Sequence, residues 1–124
     1  MLSWIREQVG FNVRLCVAEI TTAITATFGE SKTVIGRFFL DLHPRPNKYG
    51  HAAQWGLHPR KEWADGRVQR PLAALVCNFT KPTKDAPSLL SHREVETFFH
   101  EFGHCLHSIL TESKYGEFSG TSVA

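Results

Sequence analysis

The sequence predicts an α+β fold, a small and mostly antiparallel sheet packed beside one helix. Three observations carry this reading. A period-two apolar pattern runs through residues 13–28 and again through VIGRFFLDL (residues 34–42). LAALVCNF (residues 72–79) is a nearly continuous apolar run bounded by Pro71 and Pro82. Beyond Ser91 the period changes to that of an amphipathic helix, and this helix carries HEFGH.

Taken in order, residues 3–9 suit a short helix with Leu2, Ile5 and Val9 on one face. From Val13 the spacing becomes that of a strand. Ile20, Thr22, Ile24, Ala26 and Phe28 share a face in a stretch crowded with β-branched residues. Gly29-Glu30-Ser31-Lys32 reads as a turn, and Phe38, Leu40 and Leu42 alternate with Phe39 and Asp41 in the next strand, so an antiparallel hairpin is expected. Ser31-Lys32-Thr33 lacks the preceding glycines of a phosphate loop. Residues 45–71 hold Pro46, Gly50, Gly56, Pro59 and Asp65-Gly66, which predict a long loop with local turns carrying Trp55 and Trp63. LAALVCNF then suits a buried strand, the third or fourth of one sheet.

With 42% hydrophobic and 21% charged residues, the 124-residue chain falls in the range of one globular domain with a small core. A net charge of +2, with both signs interspersed, gives no stripe that would track phosphates, which argues against nucleic acid. Cys16, Cys77 and Cys105 cannot all pair and form no CxxC spacing, which points to a reducing compartment: cytoplasmic, with an organelle possible. The first fifteen residues contain Arg6, Glu7 and Arg14 and no long apolar run, unlike a secretory signal or a membrane span.

The last predicted element carries the chemistry. Ser91 followed by Glu94 is a capping box, so a helix should begin at His92. At about 100° per residue, Val95, Phe98, Phe102, Leu106 and Ile109 form one apolar stripe, with His100, His104 and His107 roughly opposite. His100 and His104, one turn apart, can reach one zinc ion as metal ligands, and Glu101 beside them is placed to act as a catalytic general base on water. Gly103 would let another segment approach.

The other histidines have different prospects. His107 sits about 10 Å along the axis from His100, too far to share one tetrahedral zinc from a straight helix. His92 belongs to the first turn, while His43, His51 and His58 are loop residues with a small chance of touching substrate or metal. Cys105 reads as a packed residue. The long metzincin motif does not fit, because its glycine and third histidine are replaced by His107 and Leu110.

GRFFLDLHPRPNKYGHAA, LAALVCNFTKP, LLSHREVETFFHEFGHCLH and FSGTSV together resemble the thimet oligopeptidase family of zinc metallopeptidases, over about residues 34–123 and more weakly over 12–18. The resemblance implies that His100 and His104 bind zinc and that Glu101 activates water. It implies that substrates, short peptides, lie against the LAALVCNF strand, and that Phe118-Ser119-Gly120-Thr121 is a glycine-bearing loop at the cleft. The family fold is a larger, mostly helical gluzincin-type body with a small sheet beside the zinc helix, so residues 1–124 correspond to part of a catalytic domain. The family's third zinc ligand, a glutamate, would fall about five residues beyond Ala124. Glu112 and Glu117, the acids that follow the motif, match no family ligand. An alternative reading of the same residues is a catalytically inactive remnant that binds zinc or a partner.

Overall fold

The computed structural model describes residues 11–17, 22–28 and 34–123. The helix expected over 3–9, Ile20, and the turn at Gly29-Glu30-Ser31-Lys32 lie outside these residues. Among the described residues seven strands precede the helix: β1 (Phe11–Val17), β2 (Thr22–Phe28), β3 (Val34–Asp41), β4 (Ala53–His58), β5 (Lys61–Glu62), β6 (Val68–Gln69) and β7 (Leu72–Val76). The helix, α1 (His92–Leu110), is followed by two short 3-10 turns (Gly116–Phe118 and Gly120–Ser122). Five strands form one sheet in the order β1-β2-β3-β7-β4, and β5 and β6 form a separate small hairpin.

This is the α+β arrangement the sequence predicts, with two differences. The period-two stretch from Val13 belongs to two strands, paired antiparallel from Phe11↔Phe28 to Val17↔Thr22. Alternation of β-branched residues supports a strand on either side of a reversal, and residues 18–21 contain no glycine, proline or asparagine to mark one. The expected hairpin between β2 and β3 is present, with Ile24 opposite Phe38 and a bulge at Ala26/Thr27.

The second difference lies in residues 45–71, which hold β4, β5 and β6 rather than one long loop. β4 pairs antiparallel with β7, Gln54 opposite Leu75 and Trp55 opposite Ala74. Its last four residues are exposed, so it lacks the buried alternation that marks a strand in sequence. Gly56 and Pro59, read as turn residues, end the regular register instead: the ladder shifts between Gly56 and His58. The Asp65-Gly66 turn is real and closes the β5–β6 hairpin, with Gly66 at φ 83°.

β7 enters the sheet between β3 and β4. It runs parallel to β3, Phe38 opposite Ala73 and Leu40 opposite Leu75, while the other three pairings of the sheet are antiparallel. Its apolar run is continuous because neither face is fully exposed: Ala73, Leu75 and Cys77 are fully buried on one face and the residues between them half-buried on the other.

α1 lies across this sheet. Phe98, Phe102, Cys105 and Ile109 pack with Phe38, Ala73, Leu75, Cys77 and Phe79 in one core, where burying each side chain of leucine or phenylalanine size contributes about 1.5–3 kcal/mol. Phe102 stacks on Phe98 at 5.9 Å and meets Phe38 at 5.8 Å. The buried stripe therefore includes Cys105, while Val95 in the largely exposed first turn stays outside it and Leu106 is half-buried. The small Cys105 lets the helix settle onto the sheet. A side chain at Gly36 would not: its Cβ would stand 2.6 Å from Ile109 Cγ2.

Candidate active site on the helix and the sheet edge

The helix that carries the motif starts where its cap dictates. The Ser91 hydroxyl accepts from the Glu94 backbone N–H, and the Glu94 carboxylate accepts from the Ser91 N–H at 2.7 Å, so the capping box is complete. These bonds hold the Glu94 carboxyl below its ordinary range. From this start, the α-helical period places His100 and His104 one turn apart on an exposed face, their ring centroids 4.9 Å apart and their planes at 90°.

Glu101 is half-buried between the helix and the sheet edge. Its Oε2 accepts from the backbone N–H of Gln54 at 2.8 Å. In an antiparallel ladder every second residue turns its N–H and C=O away from the partner strand. Gln54 is such a residue, and Gly56, exposed and with open space around its Cα, is the next by the same alternation. Among the described residues β4 is an edge strand, so the glutamate of the motif sits on a free sheet edge.

Further contacts fix this edge. The Gln54 side-chain amide donates to Ser108 Oγ at 3.1 Å. Gly120, at φ 57°, comes so close to the helix that a Cβ there would stand 2.8 Å from Ser108 Cα. Gly56, His58, Ser108, Ser119, Gly120 and Thr121 line a cavity of about 160 Å³ beside the edge. The segment leading into β4 is held by Lys48, whose Nζ donates to the carbonyls of Asp41, His43 and Cys77 and lies 3.0 Å from the Asp41 carboxylate.

Under the motif lie two free thiols. Burial, with a smaller contribution from the charge of Glu101, pushes Cys105 up to about 12; burial likewise pushes Cys77 up to about 11. Both are fully buried in the core, where they pack among apolar side chains.

The remaining residues singled out in the sequence stand apart from the histidine pair or add nothing to it. Nδ1 of His43 is 3.2 Å from the Phe79 carbonyl. His51 lies against the Tyr49 ring, whose other neighbour is Trp55. His58 ends β4, and His92 and His107 are exposed near the two ends of the helix. Gly103 has open space where a Cβ would stand, so among the described residues no segment approaches it closely. Among the described residues no group of three or more His, Cys, Asp or Glu side chains could hold a metal ion, and neither Glu112 nor Glu117 completes one. The donor chemistry of His100 and His104 fits zinc as two imidazole ligands.

The LAALVCNF strand, β7, has neighbours on both edges and no edge left for a substrate backbone. On that side of the sheet the edge, among the described residues, belongs to β4. Sequence reasoning missed Gln54 and Lys48: the first meets Glu101 through a backbone N–H, which no residue type announces, and the second is buried within a stretch that reads as loop.

A family model for peptidase family M3 matches residues 19–124. The chain is 57% identical over 94 residues to the thimet-like oligopeptidase of Dictyostelium discoideum, covering 76% of this chain and 14% of that protein. It is 48% identical over 91 residues to saccharolysin of Saccharomyces cerevisiae (73% and 13%), and 43% identical over 95 residues to oligopeptidase A of Escherichia coli (77% and 14%). The chain thus spans about one-seventh of the length of these relatives. The family match takes in the capped helix, His100 and His104 and the strand that reaches Glu101, and by that match the chain belongs to peptidase family M3.

Proposed function

We propose that the protein hydrolyses peptide bonds of short peptides with zinc, as part of a larger, mostly helical gluzincin-type peptidase. His100 and His104 hold the ion, and Glu101 is the general base. One observation carries this reading: the two exposed imidazoles stand side by side while the glutamate between them in sequence is fixed on a free strand edge. Zinc, when bound, supplies Lewis acidity that makes water nucleophilic near neutral pH and polarises the scissile carbonyl.

The chain's own residues do the rest. Glu101 Oε2 is held by Gln54, and Oε1, without a hydrogen-bond partner among the described residues, is free to take a proton from water and return it to the leaving amine. A peptide laid along β4 adds a strand to the sheet, its backbone pairing with the outward groups at Gly56, where no side chain obstructs it. Cys77 and Cys105, free and buried, suit the reducing compartment expected for the protein. Similarity to a thimet-like oligopeptidase and to oligopeptidase A supports the substrate class.

The test is cleavage of a quenched peptide by the zinc-loaded chain beside a Glu101→Gln variant. Loss of the general base should lower the rate by about 10²-fold or more. Equal rates would sink the assignment of Glu101. The absence of a third ligand among the described residues favours a second reading, zinc binding without catalysis. Zinc uptake abolished by His100→Ala or His104→Ala, with no cleavage by the unmodified chain, would select it.

A further inference from the structure

Glu101 and Ser108 are seven residues apart, two helical turns and about 10 Å along one side of α1. A single residue of β4 reaches both. The Gln54 backbone N–H meets Glu101 Oε2 at 2.8 Å, and the Gln54 side-chain amide meets Ser108 Oγ at 3.1 Å. The inner edge of β4 is held by β7, but a single hydrogen bond from its outer edge to the helix would still let the two pivot and shift locally about it. Two bonds separated along the helix axis remove both freedoms.

The second anchor is itself immobile. Ser108 is buried, and Gly120 closes over it at a distance that leaves no room for a Cβ. The strand end is thus referred to a fixed point in the core, and the carboxylate takes its position from the strand.

We propose that Gln54 is the positioning residue for Glu101: its side chain, moored on Ser108, holds the backbone N–H that fixes one carboxylate oxygen and leaves the other free to move a proton. The catalytic meaning of this rests on the peptidase reading of Glu101; the geometry does not.

Amide hydrogen exchange of the full chain, read at residue 54 relative to the Leu75 amide of the central strand, tests it without zinc or cleavage. Glu101→Ala, which removes the acceptor, should speed exchange at residue 54 by about five-fold or more relative to Leu75. Gln54→Met keeps the shape of the side chain and removes its donor, and Ser108→Ala removes the acceptor. Each should speed residue 54 by a similar factor although the Glu101 carboxylate is intact. The ratio discounts any general loosening of the sheet. If it stays at the unmodified value in Gln54→Met and Ser108→Ala while rising in Glu101→Ala, the side chain does not position the carboxylate and the proposal is overturned. Because no activity enters this readout, its failure would leave the Glu101→Gln cleavage test untouched, and the converse holds equally.

Discussion

At the scale of single residues, Lys48 shows how a charge can be buried with little loss. Its side chain is 3% exposed, and its ammonium, with three protons to donate, faces three carbonyls and the Asp41 carboxylate. Removing it strands those acceptors, so Lys48→Met should lower unfolding free energy by about 3 kcal/mol in urea titration, the scale of a broken buried pair. Burial raises the Asp41 carboxyl, but Arg45 and Lys48 overcome this and hold it below its ordinary value. Its folded pKa is therefore the lower one. The stability it contributes is fully present above the unfolded value of about 3.9 and is lost as pH falls below that toward the folded value. Asp41→Asn should flatten the acid limb of a stability profile below that point; an unchanged limb would contradict the pairing. None of this is legible in PRPNKYG, where a lysine among prolines, asparagine and glycine reads as solvated loop, because its acceptors lie outside that stretch, on Asp41 and His43 just before it and on Cys77, 29 residues on.

At the scale of elements, what reads clearly is what local chemistry determines. The capping box and the helical period place α1 and its histidines from a few neighbouring residues, and the apolar run of β7 signals burial directly. β4 does not read, because an exposed edge strand has no buried face to alternate and its identity comes from pairing with a strand that follows later in the chain. The stripe assigned to the helix is rotated for a similar reason: the sheet chooses Cys105 over Val95 by fit. That fit is tight at Gly36, opposite Ile109. Gly36→Ala would drive a methyl into the helix, and a loss of about 1–3 kcal/mol is expected from overpacking, measured as a fall in thermal midpoint. Pairing this substitution with Ile109→Leu, which has no methyl on Cβ, should recover part of the loss, since it is the Ile109 Cγ2 methyl that stands in the way.

At the scale of the whole molecule, the motif on α1 suggests the proposed chemistry from sequence, whereas the placement of Glu101 against Gln54 depends on a contact 47 residues apart that no spacing rule reaches. The surface carries a second property of the whole: Leu89, Tyr115 and Phe118 are each more than half exposed, and Tyr115 meets Phe118 edge to face. Apolar surface of this kind favours association. The apparent mass in sedimentation should rise with concentration, less so in a Tyr115→Ser, Phe118→Ser double variant; a single sharp monomer at all concentrations would count against it. The order β1-β2-β3-β7-β4 has a further consequence, for the time course of folding. Among the described residues β4 joins the sheet only through β7, which is made later in the chain. β4 and β7 pair across 14 to 23 residues (His58↔Leu72, Ala53↔Val76), whereas β3 and β7 pair across 35 (Arg37↔Leu72), so the edge that receives Glu101 is expected to form with its partner first and to join the rest of the sheet in the slower, less local closure beside β3.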